Sequence, residues 1–183
     1  PIIFSDATKT IAAHRKVRIS GSRLSFNNIV DSPETIVSTE NLNRVIKIDS
    51  DAMTVLVEGG ARYGDVATTI ERKGFALANL ASLPHISIAG AVATATHGSG
   101  VGNGNLATTV TAMQIVTADG TLATFSRETH PGEFDGMVVN IGALGAVATL
   151  TLRIEPTFQI CQQVFPHIPL SLALENIDAL LGC

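Results

Sequence analysis

A chain of 183 residues, 45% of them hydrophobic, is long enough to bury a substantial core and falls within the usual range for one domain. Its net charge of −4, with 12 Lys and Arg residues scattered singly, leaves no electrostatic footprint for a nucleic-acid backbone or an anionic membrane. No apolar run reaches the roughly 18 residues that span a bilayer, and the opening "PIIFSDATKT" lacks the basic and long apolar regions of a signal peptide, so a soluble, cytoplasmic chain is expected. Cys161 and Cys183 have no C-x-x-C spacing, which argues against a disulfide framework or a thiolate metal site.

In chain order, "SDATKTIAAHRK" has helical composition, and "VRISGSRLSF" reads as a strand running into a loop of glycine, serines and an arginine. "RVIKIDSDAMTVLVEGG" reads as a hairpin in which Ile46 and Ile48, then Val55 and Val57, alternate with polar neighbours across a turn from Asp49 to Ala52. Tyr63, Val66, Ala67 and Ile70 recur at i, i+3, i+4 and i+7, one face of a helix that Gly74 is suited to stop. Asp65 near its start and Lys73 near its end suit the helix dipole. "TAMQIVTADGTLATFS" is a second hairpin, turning at Asp119-Gly120. "HPGEFDGMVVNIG" holds a short helix. In "AVATLTLRIEP", Ala148, Leu150, Leu152 and Ile154 alternate with Val147, Thr149, Thr151 and Arg153, as in a strand with one buried face. The class is α+β, with the best internal boundary at residues 74–85.

Residues 85–105, "HISIAGAVATATHGSGVGNGN", are almost free of bulky side chains. Gly102 to Ala107 satisfies G-x-G-x-x-G/A, yet no β-branched strand precedes it and no acidic residue follows in the required βαβ context, so the match is read as accidental. A Walker loop and a nucleophile elbow are absent, and His85 and His97 lack the spacing and carboxylates of a zinc site. A close-approach site survives. Gly90, Gly98 and Gly100 remove side chains, while Ser87, Thr94, Thr96 and Ser99 offer hydroxyls beside backbone N–H groups, an arrangement suited to phosphates or a polar heteroaromatic edge. The same residues suit tight helix packing or a mobile surface loop, and the pattern alone leaves these alternatives open.

The run from "GGARYGDVATTIERKGFALANLASLPHIS" through "IAGAVATATHGSGVGNGNLAT", with "VTADGTLATFSRET" and "VNIGALGAVATLTLRIEPTFQ", resembles the flavin-binding domain of the alditol oxidases and sugar-lactone oxidases, within the vanillyl-alcohol-oxidase type of FAD-dependent oxidoreductases. The likeness covers about Val17 to Phe158, and "SLPHIS", "ATHGSG" and "GALG" are specific in combination. It implies a PCMH-type FAD domain over residues 1–158, made of a small α/β subdomain at about 1–78 and a larger mixed α+β subdomain at 79–158. It also implies oxidation of the CH–OH group of an alditol or sugar lactone, with oxygen as acceptor and hydrogen peroxide as product.

Carried across by position, the resemblance makes Ile19, Ser20, Gly21, Ser22, Arg23, Leu24 and Ser25 the loop that wraps the FAD pyrophosphate. Gly21 would admit the backbone, the Ser22 and Ser25 hydroxyls would donate to phosphate, and Arg23 would add charge or order the loop. Ser82, Ser87, Gly90 and Thr94, with Ala95, Thr96 and His97, match positions near the flavin and its phosphates, and Val147 matches backbone lying along the cofactor. The family loop reads G-T-R-H-S, and its histidine is bonded covalently to the flavin. Leu24 stands at that position and cannot form the bond, which implies FAD held non-covalently. Residues 159–183 match the start of a substrate domain that supplies most groups acting on the alcohol, and a truncated chain is expected. No residue is therefore named as a catalytic base. The alternative function is a non-enzymatic flavin-binding remnant.

Overall fold

The computed structural model describes residues 2–182, with side-chain surroundings from residue 8 onward. A helix, α1 (Ile2–Ala13), leads into β1 (Val17–Ser20), which pairs in parallel with β2 (Thr35–Ser38). The first expected hairpin forms from β3 (Val45–Asp49) and β4 (Thr54–Glu58). The turn is closed by the Ala52 N–H donating to Asp49 Oδ1 at 3.0 Å, and Met53 takes a positive φ of 50° just before β4. Val55 and Val57 are fully buried, as their alternation requires. Ile46 departs from the expected pattern. The β3–β4 register shifts between Val45 and Lys47, so Ile46 is the extra residue of a bulge and stands exposed, while Val45 and Ile48 pack against the core.

Next come α2 (Tyr63–Glu71) and the short β5 (Phe75–Ala76). Tyr63, Val66 and Ile70 are the buried face of α2, as the spacing predicts, and Gly74 (φ 83°) turns the chain away after it. The glycine-rich stretch contains a helix that periodicity did not show, α3 (Ile88–Ala93), followed after a loop by a 3-10 turn at Leu106–Thr109. The second hairpin is β6 (Val110–Val116) with β7 (Leu122–Ser126), turning at Gly120 (φ 81°). Asp119 accepts from Thr117 Oγ1, Thr121 N–H and Thr121 Oγ1, which together lower its carboxyl pKa to about 2. After α4 (Phe134–Val138) the chain enters β8 (Ala146–Arg153), then the short β9 (Glu155–Pro156), which pairs with β5.

Five strands form one antiparallel sheet in the order β3-β4-β8-β6-β7, and β8 lies at its centre. The α+β class follows directly. The pairing does not divide the chain at about residue 78, because β3 and β4 belong to the same sheet as β6 to β8; the change of sheet falls between β2 and β3. One face of the sheet carries the main core, with Val66 and Ile70 of α2, Ile88 and Val92 of α3, and Leu150 and Leu152 of β8. A smaller cluster joins Ile11 of α1 to Val116, Ala146 and Ala148, with Val17, Ile19 and Val37 of the parallel pair packed against it.

Because both faces are covered, β8 is not the one-sided strand that its alternation predicts. Residues 146 to 150 are all buried. The register against β6 shifts between Gln114 and Ile115, leaving Ala148 as the extra residue on β8. Such a bulge moves the side-chain parity by one position, so Val147 joins the main core together with Leu150 and Leu152.

At the end of β4, Glu58 is 3% exposed and is held by Arg44. Burial opposes ionisation of this carboxyl, but the Arg44 contacts outweigh it and keep its pKa below the ordinary value: Nη2 and Nε donate to Oε1 at 2.6 and 3.0 Å, and the Arg44 backbone N–H donates to Oε2 at 2.8 Å. A carboxyl whose pKa is lowered by folding contributes stability above its unfolded pKa and loses it as pH falls through the folded value. Arg44→Met removes the guanidinium and leaves the burial, so the acid-unfolding midpoint is expected to move to higher pH. Circular dichroism across an acid titration reads the midpoint, and an unmoved value would show that this pair plays no part in acid unfolding.

Residues 157–169 form an irregular segment, followed by α5 (Leu170–Glu175) and α6 (Ile177–Leu181). Neither helix has a buried residue. Among the described residues, no helix is long and apolar enough to cross a membrane.

Candidate functional site

The site begins where β1 ends. The Ser20 carbonyl accepts from the Thr39 N–H at 2.9 Å and from Thr39 Oγ1 at 3.3 Å, which locks the end of β1 to the residue following β2. The chain then leaves the sheet through Gly21. Ser20 is 1% exposed, and its hydroxyl has no partner among the described residues. A buried hydroxyl left this way costs about 1–3 kcal/mol, so the arrangement favours a ligand able to bond it. Arg23 adopts φ 57°, in the left-handed region that non-glycine residues seldom occupy, and the side chains of Arg23, Leu24 and Ser25 are exposed.

Ser87 immediately precedes α3, and it is buried without capping the helix through its side chain. Its Oγ lies so close to Gly21 that any Cβ there would collide with it, and a Cβ on Gly90 would lie 2.9 Å from the same atom. Ser20, Gly21, Ser87 and Gly90 thus form one cradle whose walls are backbone and hydroxyl groups. The start of α3 is held to the segment after β4, with the Ile88 N–H donating to the Ala61 carbonyl at 2.8 Å and the Ala89 N–H to that of Gly59 at 3.3 Å. Gly59 itself lies against the Val147 carbonyl, where a side chain would collide. The close neighbour found at the Val147 carbonyl is thus the backbone of Gly59.

A second group gathers beyond the other end of α3, whose six residues span roughly 9 Å. Thr94 Oγ1 contacts the Gly90 carbonyl and Thr96 Oγ1, both at 3.2 Å, so this hydroxyl is engaged within the helix end. Ala95 takes φ 51° and turns the chain, and the Thr96 carbonyl accepts from the Leu106 N–H at 2.8 Å. Ser82, Thr96 and His97 then line one cavity of about 160 Å³, together with Asn79, Leu80, Ala81, Gly98 and Leu106. His97 Nδ1 lies 3.0 Å from the Gly98 carbonyl. A carbonyl only accepts, so Nδ1 carries the proton in that contact.

The structure thus separates the sequence-predicted residues into a cradle and a cavity at opposite ends of α3. Sequence reasoning missed Gly59 and Gly60, although the Glu58-Gly59-Gly60 run at the end of a strand was a visible signal of close backbone approach. It also missed Asn79, Leu80 and Leu106, whose role in the cavity depends on the loop conformation. No group of three metal-ligating side chains is found among the described residues.

Residues 5–126 match the family model described as FAD binding domain. The chain belongs to the FAD-binding domain family. Alditol oxidase of a Streptomyces species is 47% identical over 160 residues, covering 85% of this chain and 38% of that protein. L-gulonolactone oxidase of Bos taurus is 30% identical over 166 residues, covering 91% of this chain and 38% of that protein. The FAD-binding chain therefore spans well under half the length of these relatives. The crystal structure of 6-hydroxy-D-nicotine oxidase from Arthrobacter nicotinovorans superposes with a TM-score of 0.72 at 16% identity, covering 84% of this chain and 35% of that one, which shows a shared fold.

The residues present fit FAD. The unpartnered Ser20 hydroxyl and the glycine-cleared space around Ser87 Oγ offer a phosphate hydrogen-bonding groups and room for close approach. The cavity between the 79–82 segment and Thr96–His97 adds mixed polar and apolar walls, such as a heteroaromatic ring requires.

Proposed function

We propose that this FAD-binding domain serves an oxidoreductase acting on the CH–OH group of an alditol or sugar lactone, with oxygen as acceptor and hydrogen peroxide as product. The observation that carries the reading is the 47% identity to the Streptomyces alditol oxidase over 160 residues, and the likeness to L-gulonolactone oxidase supports lactones as the wider substrate class. In the net exchange the alcohol loses two hydrogens as its carbon becomes a carbonyl, and oxygen gains both. When bound, FAD supplies the two-electron acceptor that amino-acid side chains lack.

This chain's own residues bind and orient. Residues 19–25 and Ser87 would hold the pyrophosphate, with Gly21 and Gly90 keeping the approach clear. Ser82, Thr96 and His97 would line the ring site and limit water there. With Leu24 at the position of the family's linking histidine, the attachment is non-covalent. The partners are a small polyol or sugar lactone and oxygen.

The test is the identity of the bound nucleotide. Chromatography of nucleotides released from the purified chain, or retained by the apoprotein after incubation with FAD, FMN and NAD together, is expected to show FAD. Selective retention of NAD or FMN would overturn the assignment.

A further inference from the structure

Arg62 and Ser87 face each other in an isolated antiparallel bridge, between the residue before α2 and the residue before α3. Two hydrogen bonds frame it: Tyr63 N–H donates to the Ile86 carbonyl at 3.1 Å, and Ile88 N–H to the Ala61 carbonyl at 2.8 Å. Because those bonds come from the flanking residues, Arg62 and Ser87 are the non-hydrogen-bonded kind of pair, with Cα atoms about 4.5 Å apart and both side chains on one face. Both backbones are extended, with ψ 146° at Arg62 and 139° at Ser87. Ser87 sends its Oγ against Gly21. Arg62 therefore leaves the bridge on the side of the Gly21 turn.

The far end of the arginine fixes its course. Nη2 lies 3.9 Å from Oε1 of Glu40, and Glu40 directly follows Thr39, whose N–H and hydroxyl both donate to the Ser20 carbonyl. The side chain thus starts beside Ser87 and ends beside the Thr39–Glu40 step, the two anchors of the Ser20–Gly21 turn. At 3.9 Å the guanidinium and carboxylate attract without a hydrogen bond, and their side chains are 45% and 69% exposed, so the pairing is weak and screened by water. Helix α2 does not use the Arg62 side chain as a cap either.

We propose that Arg62 is a further phosphate-binding residue: its guanidinium, held loosely at Glu40 in the ligand-free chain, turns onto the pyrophosphate of a dinucleotide seated at Gly21 and Ser87. The inference rests on the FAD reading of that cradle. It supplies what the cradle lacks, since Ser20, Gly21, Ser87 and Gly90 offer only neutral groups, whereas a pyrophosphate diester is an anion. The forked donors of a guanidinium match phosphate oxygens, and Glu40 is the opposing charge that the arginine gives up on binding.

Arg62→Gln removes the charge at an exposed position, and the urea midpoint is expected to stay unmoved. FAD affinity, read by flavin fluorescence titration at low salt, is expected to fall about tenfold, the size of effect that follows from losing one charge-assisted contact. Raising the salt is expected to narrow the difference. Glu40→Gln is expected to raise FAD affinity about threefold, because it frees the arginine and removes a like charge from the approach. A pair that merely braces the fold predicts another pattern: both variants break the tie, so both would weaken FAD binding alike. That pattern, or an unchanged affinity in Arg62→Gln, would overturn the proposal. Should Arg62→Gln fail to fold, Glu40→Gln decides alone, with higher affinity supporting the proposal and equal or lower affinity refuting it. Inorganic pyrophosphate, titrated calorimetrically, separates the phosphate site from the cofactor. Pyrophosphate binding by the unsubstituted chain without FAD binding, lost in Arg62→Gln, would uphold the phosphate site and reject the cofactor assignment; binding of neither ligand would reject both.

Discussion

Gly60→Ala is expected to destabilise the fold by about 3 kcal/mol, at the upper end for overpacking. A methyl group there collides with the Thr39 carbonyl oxygen and lies 2.8 Å from that of Leu42. Both obstacles are backbone. A flexible side chain can swing aside, but Thr39 is tied to Ser20 through two hydrogen bonds, and Leu42 N–H donates to the Thr39 carbonyl at 2.8 Å. Relief therefore requires the end of β2 to move away from the end of β4, which also opens the Ser20–Ser87 cradle. In urea the midpoint is expected to fall by about 1.5 M, taking a slope of about 2 kcal/mol per M. Gly136→Ala is the matched control, since nothing lies within 4 Å of the added methyl group and the position is within α4. It is expected to be neutral or stabilising by up to about 1 kcal/mol. Equal midpoints for the two variants would show that the β2 and β4 ends are not in the contact described.

Acid precipitation of the flavin-loaded chain is expected to release essentially all of the yellow colour into the supernatant. Leu24 has no nucleophilic nitrogen and is 38% exposed in the loop after β1. FAD held only by hydrogen bonds, charge and packing leaves when the fold is lost, whereas a covalent link would carry it into the pellet. Flavin fluorescence that stays with the polypeptide on a denaturing gel would contradict non-covalent attachment and point to another attachment residue. Leu24→His supplies the missing nitrogen, and protein-bound fluorescence in that variant alone would show that position 24 faces the flavin.

Much of the local structure was legible because the forces that set it are local. The face of α2 follows from the 3.6-residue period of Tyr63, Val66 and Ile70, and the two hairpins follow from alternation on either side of turn-forming residues. The short helix α3 was not legible. Its six residues, "IAGAVA", offer too few turns for a period, and their glycine reads equally as loop. The candidate site was legible as residue types and by its resemblance to flavin domains, and Gly21, Ser87 and Gly90 do meet. Its partition into a cradle and a cavity was not, because that depends on the length and direction of α3.

The sequence by itself determined the α+β class, the hairpins, the helix over Tyr63–Glu71 and the family to which the chain belongs. Only the tertiary structure decided that β3 and β4 join the sheet of β6 to β8, that Ile46 and Ala148 are bulged, and that Val147 faces the main core beside Gly59. The physical reason is the range of the interactions involved. Periodicity records which face of a single element avoids water, but a bulge and a sheet order are set by the register of two strands that meet only after distant segments have packed.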